Sequence, residues 1–354
     1  GSFCPALAAA LGVAAVSKIR WAHCVNSRRR LRRALLDERV HMLEVDVSFG
    51  ELRAPSAAGP ACGPAAARGT PAPLGGGSWG PVAAHFPTQR SSDLSVEELL
   101  RTVMQHNAGG GSPKGLKLDF KQLGCVRPVV AAVLDLHAQL SAARGPAAAA
   151  VLPPLLPAVF FNADVVRGSC LIPRITERLQ DPLPLGEFVR DVASGLAPAQ
   201  PGRVRCALSL GWTPGLPISS GCRLTDAMAE QMLAALPPVQ AACDAGLLQH
   251  VTFGVSAACA RDSAPTLSRI RAAVGDSVDT SVTFFTPTFG LGVTRDEARY
   301  LHRYPACPPD RLFLDLRRRP ASLDARHALA RCLPRPSRAW PAWPPRRWPR
   351  TEAS

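Results

Sequence analysis

His41-Met42-Leu43-Glu44-Val45-Asp46-Val47 is an aliphatic strand with two acids set into it. Side chains two apart share one face of a strand. Glu44 and Asp46 therefore project together, about 6–7 Å apart along the chain, while Leu43, Val45 and Val47 project the other way. Two inward carboxylates with no cation beside them are costly to bury. A metal ion, or a set of Lys and His side chains, has to offset them.

The alternation returns further on. In Gly115-Leu116-Lys117-Leu118-Asp119-Phe120-Lys121 the apolar residues face one way, and Lys117, Asp119 and Lys121 the other. Residues 159–165 place Asn162 and Asp164 on one face. Further strands are expected at 19–23, ending in His23, at 81–85, ending in His85, and at 205–212, ending in Trp212. Three more fall at 251–255, 281–285 and 310–316. Helix signals lie between them. Asn26 or Ser27 can cap a helix whose run Arg28-Arg29-Arg30-Leu31-Arg32-Arg33 faces solvent. Ser95-x-x-Glu98 and Thr294-x-x-Glu297 read as capping boxes. Pro128 suits the first turn of a helix over 127–140. Helices are expected at 184–195, at 226–246 with a break near Pro237-Pro238, and at 264–274.

Strand and helix in alternation predict an α/β fold. Eight parallel strands close a TIM-type (β/α)8 barrel. The surplus strand is assigned to 81–85, as a hairpin arm returning after the Glu44/Asp46 strand. A doubly wound sheet would show a Gly-rich turn after the first strand, and none is present.

With 354 residues, 47% of them hydrophobic, the chain can fill such a barrel. The net charge of +14 is mostly terminal: 317–354 holds ten Arg against Asp324 and Glu352. That distribution argues against a specific nucleic-acid face. The eleven Cys are scattered without a Cys-x-x-Cys pair, and Cys206 and Cys259 read as small buried hydrophobes. The apolar segment 1–18 lacks an initiator Met and a basic n-region, and reads as a surface helix or an incomplete gene start rather than a signal-peptide remnant. No transmembrane segment is expected, since no run of eighteen apolar residues is free of charge or proline. The main domain is set at 19–317, with low-complexity insertions at 53–80 and 141–158. A terminal helix is expected at 318–333. The Pro/Arg/Trp tail at 334–354 is expected to be disordered.

Barrel chemistry collects at the C-terminal ends of the strands. Those ends carry His23, Glu44 with Asp46, His85, Lys117 with Asp119 and Lys121, Asn162 with Asp164, and Trp212. Glu44, Asp46 and Asp119 offer hard oxygen ligands suited to Mg²⁺ or Ca²⁺. Lys121 can contact a phosphate, and His23 and His85 are a candidate acid and base. Lys117, Asn162, Asp164 and Trp212 are expected to line the pocket. The plainer reading is a salt-bridge network with no metal, loop caps at Asn162 and Asp164, and a packing role for Trp212.

Trp21-Ala22-His23-Cys24-Val25-Asn26, Leu43-Glu44-Val45-Asp46-Val47, Ala84-His85-Phe86-Pro87, the 115–121 block, Phe161-Asn162-Ala163-Asp164 and Ser209-Leu210-Gly211-Trp212-Thr213 occur in order. Together they resemble the menorin family, as a single-domain member over 19–317, because each block occurs once. That family is similar in turn to the phospholipase-C-like, glycerophosphodiester phosphodiesterase barrels. The resemblance implies a metal-assisted site at His23, Glu44, Asp46, His85, Asp119 and Lys121, with a phosphodiester or anionic small molecule bound or hydrolysed. It also implies an extracellular or cell-surface setting, a role in neuronal or tissue development, and cell-surface proteins as partners. The alternatives are a catalytically inactive barrel acting as a binding or adhesion co-factor, and a cytoplasmic setting. Three positions depart from the enzymes: Cys24 stands where they carry Arg, Phe86 where they carry Asp, and Asp119 where they carry Glu.

Overall fold

Parallel strands are buried on both faces, so they need helices on one side and a filled interior on the other. The computed structural model describes residues 2–53, 78–145, 154–168, 181–197, 204–213, 223–234, 236–274, 278–286 and 292–316. Along them run α1 (Phe3–Ala10), β1 (Trp21–Ala22), α2 (Arg28–Leu36), β2 (Met42–Leu52), β3 (Ser78–Ala83), β4 (Ser91–Ser92) and α3 (Val96–Ala108). Then come β5 (Gly115–Phe120), α4 (Val126–Arg144), β6 (Val159–Val166), α5 (Leu185–Leu196), β7 (Cys206–Trp212), α6 (Asp226–Leu233) and α7 (Leu236–Asp244). Last are β8 (His250–Ser256), α8 (Ala264–Val274), β9 (Thr280–Phe285), α9 (Arg295–Leu301) and β10 (Leu312–Asp315).

Eight strands are neighbours in the order β1-β2-β5-β6-β7-β8-β9-β10, all in parallel pairs. This is a nearly closed α/β barrel of TIM type. Two strands lie off this order: β3, the expected hairpin arm, and the two-residue β4, which pairs parallel with the end of β2. β3 runs antiparallel to the far half of β2, from Val47 opposite Ala83 to Leu52 opposite Ser78. The arm is longer than its apolar core suggested, and Ser78, Trp79 and Gly80, grouped by composition with the 53–80 insertion, belong to β3. α4 likewise runs through Arg144 into the 141–158 stretch, and Leu155, Leu156 and Ala158 beyond it are buried. The 318–333 helix and the 334–354 tail fall outside the described residues.

The caps follow local chemistry with one exception. Thr294 and Glu297 form the full box, each side chain accepting the other's backbone N–H. Ser95 accepts from the Glu98 N–H, but the Glu98 carboxylate turns to Arg28 at 2.6 and 2.7 Å. A guanidinium within reach outcompetes a backbone amide. By length and composition alone the segment Leu123–Arg144 is long and apolar enough to cross a membrane. It serves here as a barrel helix, burying Val126, Val129, Val130, Val133 and Leu136.

The helix expected in the 1–18 segment is α1, which lays one face on the barrel and leaves Pro5 and Ala9 exposed. Phe3, Cys4, Leu7 and Ala8 of α1 are buried, packed on Met42, Phe160, Ala207 and Phe313 at the N-terminal floor of the barrel. Phe3 stacks on His250 with ring centroids 4.5 Å apart. Asp279 accepts from Ser2 Oγ at 3.0 Å and from the Phe3 N–H at 2.8 Å, and faces Arg311 at 3.0 Å. Cys206 and Cys259 are both buried as expected, and Cys259 is also disulfide-bonded.

Asp279 thus ties the plug to the barrel. Burial alone would raise its carboxyl, but His250, the Phe3 N–H and Ser2 hold it well below the usual carboxylate range. A depressed folded pKa contributes stability that is complete above the unfolded value of about 3.9 and fades as pH falls through the folded one. Asp279→Ala should lose about 1–3 kcal/mol in urea unfolding at neutral pH, with variant and wild type converging toward the acid end.

Candidate functional site

The strand pairings decide which side chains meet. Glu44 is paired with Lys117, and Asp46 with Asp119. Asp119 is paired with Asn162, and Asn162 with Ser209. All face inward, at the mouth where the strands end. All of them except Ser209 line a pocket of about 160 Å³ together with His23, Cys24, His85, Lys121, Asp164, Phe285 and Asp315.

His23 follows β1. Its Nε2 is hydrogen-bonded to Asp315 Oδ1 at the end of β10, and its Nδ1 lies 3.7 Å from Glu44 Oε2. β1 and β10 are the two ends of the strand order, so this bond bridges the seam of the barrel. Burial alone would lower the imidazole pKa. The Asp315 and Glu44 carboxylates outweigh it and raise it to about 10, so the ring is a cation at neutral pH. Cys24 adopts φ 50°, a left-handed conformation uncommon for a residue with a side chain. Its N–H donates to Glu44 Oε2 at 2.6 Å. Burial opposes ionisation of Glu44, but His23 prevails and its carboxyl is lowered.

Asp46 and Asp119 are held the same way. Asn26 Nδ2 donates to Asp46 Oδ2 at 2.6 Å, and the Asp46 N–H returns a bond to Asn26 Oδ1 at 3.1 Å. Asn162 Nδ2 donates to Asp119 Oδ1 at 2.7 Å, and Asn162 is itself fixed by Ser209 Oγ at 2.6 Å. The Lys121 ammonium sits between the two acids, 2.6 Å from Asp119 Oδ2 and 3.2 Å from Asp46 Oδ1. Burial works against its charge, yet Asp119, Asp46 and Asp164 raise it well above the ordinary lysine range.

Glu44, Asp46 and Asp119 each offer an oxygen, all within 4.8 Å of one another. Three hard oxygens at that separation can share one ion at about 2.3–2.6 Å each. The orienting amides and N–H groups are the support that ligating carboxylates require. Such an all-carboxylate donor set could hold a hard ion of the Mg²⁺ or Ca²⁺ type.

The other expected positions divide. Lys117, Asn162 and Asp164 line the pocket; burial, then the charge of Asp119, pushes the Asp164 carboxyl up to about 7. His85 is half-exposed beyond the arm, its Nε2 3.9 Å from Asp46 Oδ1 and its Nδ1 3.4 Å from Thr88 Oγ1. Phe86, in the place of an acid, packs under Arg90. Trp212 does not line the pocket. It shares the outward face of β7 with Leu208 and Leu210, buried in the layer between barrel and helices. The inward face belongs to Ser209 and Gly211, and a Cβ at Gly211 would lie 2.4 Å from Asp164 Oδ1.

Asp315, Phe285 and Gly254 carry no site expectation from sequence, and Asn26 is expected there only as a helix cap, not as a site residue. Asp315 was within reach: it ends a strand with the same alternation, and closure makes the last strand a neighbour of the first.

Lys121→Met should leave Asp46 and Asp119 buried without a cation. A loss of about 3–5 kcal/mol is expected in urea unfolding with chelator present.

The family described as the Menorin N-terminal domain matches this chain over residues 15–61 and 76–319.

Proposed function

This chain belongs to the menorin family, and from that premise we propose that its barrel binds a divalent cation and hydrolyses or binds a phosphodiester outside the cell or at its surface. The observation that carries this reading is the carboxylate triad, three oxygens within 4.8 Å at a barrel mouth. The layout resembles that of glycerophosphodiester phosphodiesterases at His23, Glu44, Asp46, His85 and Lys121, with Asp119 where they carry Glu. Glu44, Asp46 and Asp119 would hold Mg²⁺ or Ca²⁺, and such an ion polarises phosphoryl oxygens when bound. His23 is fixed in place by Asp315 on one ring nitrogen. Its Nδ1 proton, 3.7 Å from Glu44, is the more loosely held and is the one to pass to a leaving oxygen. His85 stands on the other side of Asp46, at the open edge, and takes the proton of the attacking hydroxyl or water. Thr88 orients it where Asp would do so in the enzymes. The disulfide at Cys259 supports an oxidising compartment, and with it the extracellular setting.

One observation favours a second reading. Lys121 already bridges Asp46 and Asp119, and Cys24 and Phe86 replace two polar residues of the enzymes. A barrel that keeps this network as structure would serve as a binding or adhesion co-factor in neuronal or tissue development, with cell-surface proteins as partners.

Hydrolysis of bis(p-nitrophenyl) phosphate, with and without Mg²⁺ or Ca²⁺, separates the two. Glu44→Ala should lower the metal-dependent rate by about 100-fold or more. Equal rates for wild type and variant would end the enzymatic reading, and absence of turnover with neither ion bound and the fold intact would favour the second.

A further inference from the structure

We propose that Lys117 is the anion-binding residue of this pocket, meeting a phosphoryl oxygen across the mouth from the carboxylate triad; this rests on the phosphodiester reading above. In the strand order β5 is third and β9 seventh of eight, so they form opposite walls. Lys117 rises from β5, yet its Nζ lies 5.8 Å from the ring centroid of Phe285, at the end of β9. The side chain therefore spans the mouth. Lys117 is only 7% exposed and lines the pocket.

The three buried lysines differ in what meets their ammonium groups. Lys114 reaches the carbonyls of Asp37 and Val40 and the Ser112 hydroxyl. Lys121 lies between Asp119 and Asp46. Lys117 meets the face of Phe285 and, among the described residues, has neither a hydrogen bond nor a carboxylate within 4.0 Å. A ring face offsets part of the desolvation of an ammonium, but it accepts none of the three N–H bonds the group can donate.

The neighbouring wall leaves room for an acceptor. Gly211 and Gly254 line the same pocket without side chains. A Cβ at Gly254 would meet nothing closer than 3.8 Å, so packing does not demand glycine there. Because Lys121 is engaged by the ligand carboxylates, Lys117 is the ammonium left to meet an incoming oxyanion. A phosphoryl oxygen accepting from it would form a charge-assisted bond in a water-poor site.

The test uses the full chain, with Mg²⁺ binding and phosphate binding measured separately by calorimetry. Inorganic phosphate and dimethyl phosphate serve as probes, to tell a monoester-like from a diester-like anion. Lys117→Met should weaken binding of the preferred probe by about tenfold or more and leave Mg²⁺ affinity unchanged. Lys117→Arg should keep most of the anion binding. Gly254→Val, which fills the space with Lys117 intact, should weaken it as well. Anion binding by Lys117→Met equal to wild type would overturn the proposal, as would a wild type that binds neither probe. If Mg²⁺ does not bind, the metal reading fails on its own titration. The ion-free anion titrations of wild type and Lys117→Met then still decide the role of Lys117.

Discussion

The Lys121 ammonium, lodged between Asp119 and Asp46, is the interaction on which the mouth of this barrel depends. Buried carboxylates need a counter-charge and hydrogen bonds on their remaining lone pairs. Here the lysine faces one oxygen of each acid, and the Asn26 and Asn162 amides take the other. The set exists only because β2 and β5 pair with Asp46 opposite Asp119. A slip of one residue would turn each acid outward among the helices and bring Val45, Val47, Leu118 and Phe120 inward. The apolar outer face and the charged inner face therefore specify the same register.

The interior changes character along the barrel axis. At the floor α1, Phe160, Phe313 and the buried His250 make an apolar plug. Burial, acting against Asp279, lowers the His250 pKa and keeps the ring neutral, with its Nε2 within 2.7 Å of Ser281 Oγ. Hydroxyls follow, with Thr252 and Thr283 bonded at 2.8 Å, and the charged groups stand at the top. The floor is covered by α1, and the charged pocket lies at the opposite end. The His23–Asp315 bond completes the polar ring across the seam.

The alternation of apolar and polar residues at 41–47, 115–121 and 159–165 was enough to place the strands, their inward faces and the acid cluster, because a period of two has one geometric meaning in a parallel sheet. It failed where a residue's environment comes from distant chain. Trp212 has the parity of Leu208 and Leu210, so its place at a strand end misled. Asn26 acts from a loop after β1, where no period applies. α1 is small and apolar, and nothing local says that an open barrel floor awaits it. Cys259 carries no spacing signal, since disulfide partners are joined by the fold and not by sequence distance.

The charges of the mouth can be taken group by group. His23 and Asp315 form a pair that closes on itself. Burial pushes the Asp164 carboxyl up to about 7, toward its neutral form. Glu44, Asp46 and Asp119 against Lys121 leave two negative charges uncompensated, which one divalent ion would match. Lys117 lies within electrostatic reach of Glu44 and Asp164 but has no carboxylate within 4.0 Å among the described residues, and adds one positive charge, the complement of a phosphodiester carrying a single negative charge. The two proposals are thus linked by electrostatics. An ion at the triad makes an anion tolerable there, and an ammonium on the facing wall gives that anion a second contact. Without the ion, an oxyanion entering the pocket would meet the triad's excess negative charge at close range in a medium that screens poorly, and Lys117 alone would have to offset it.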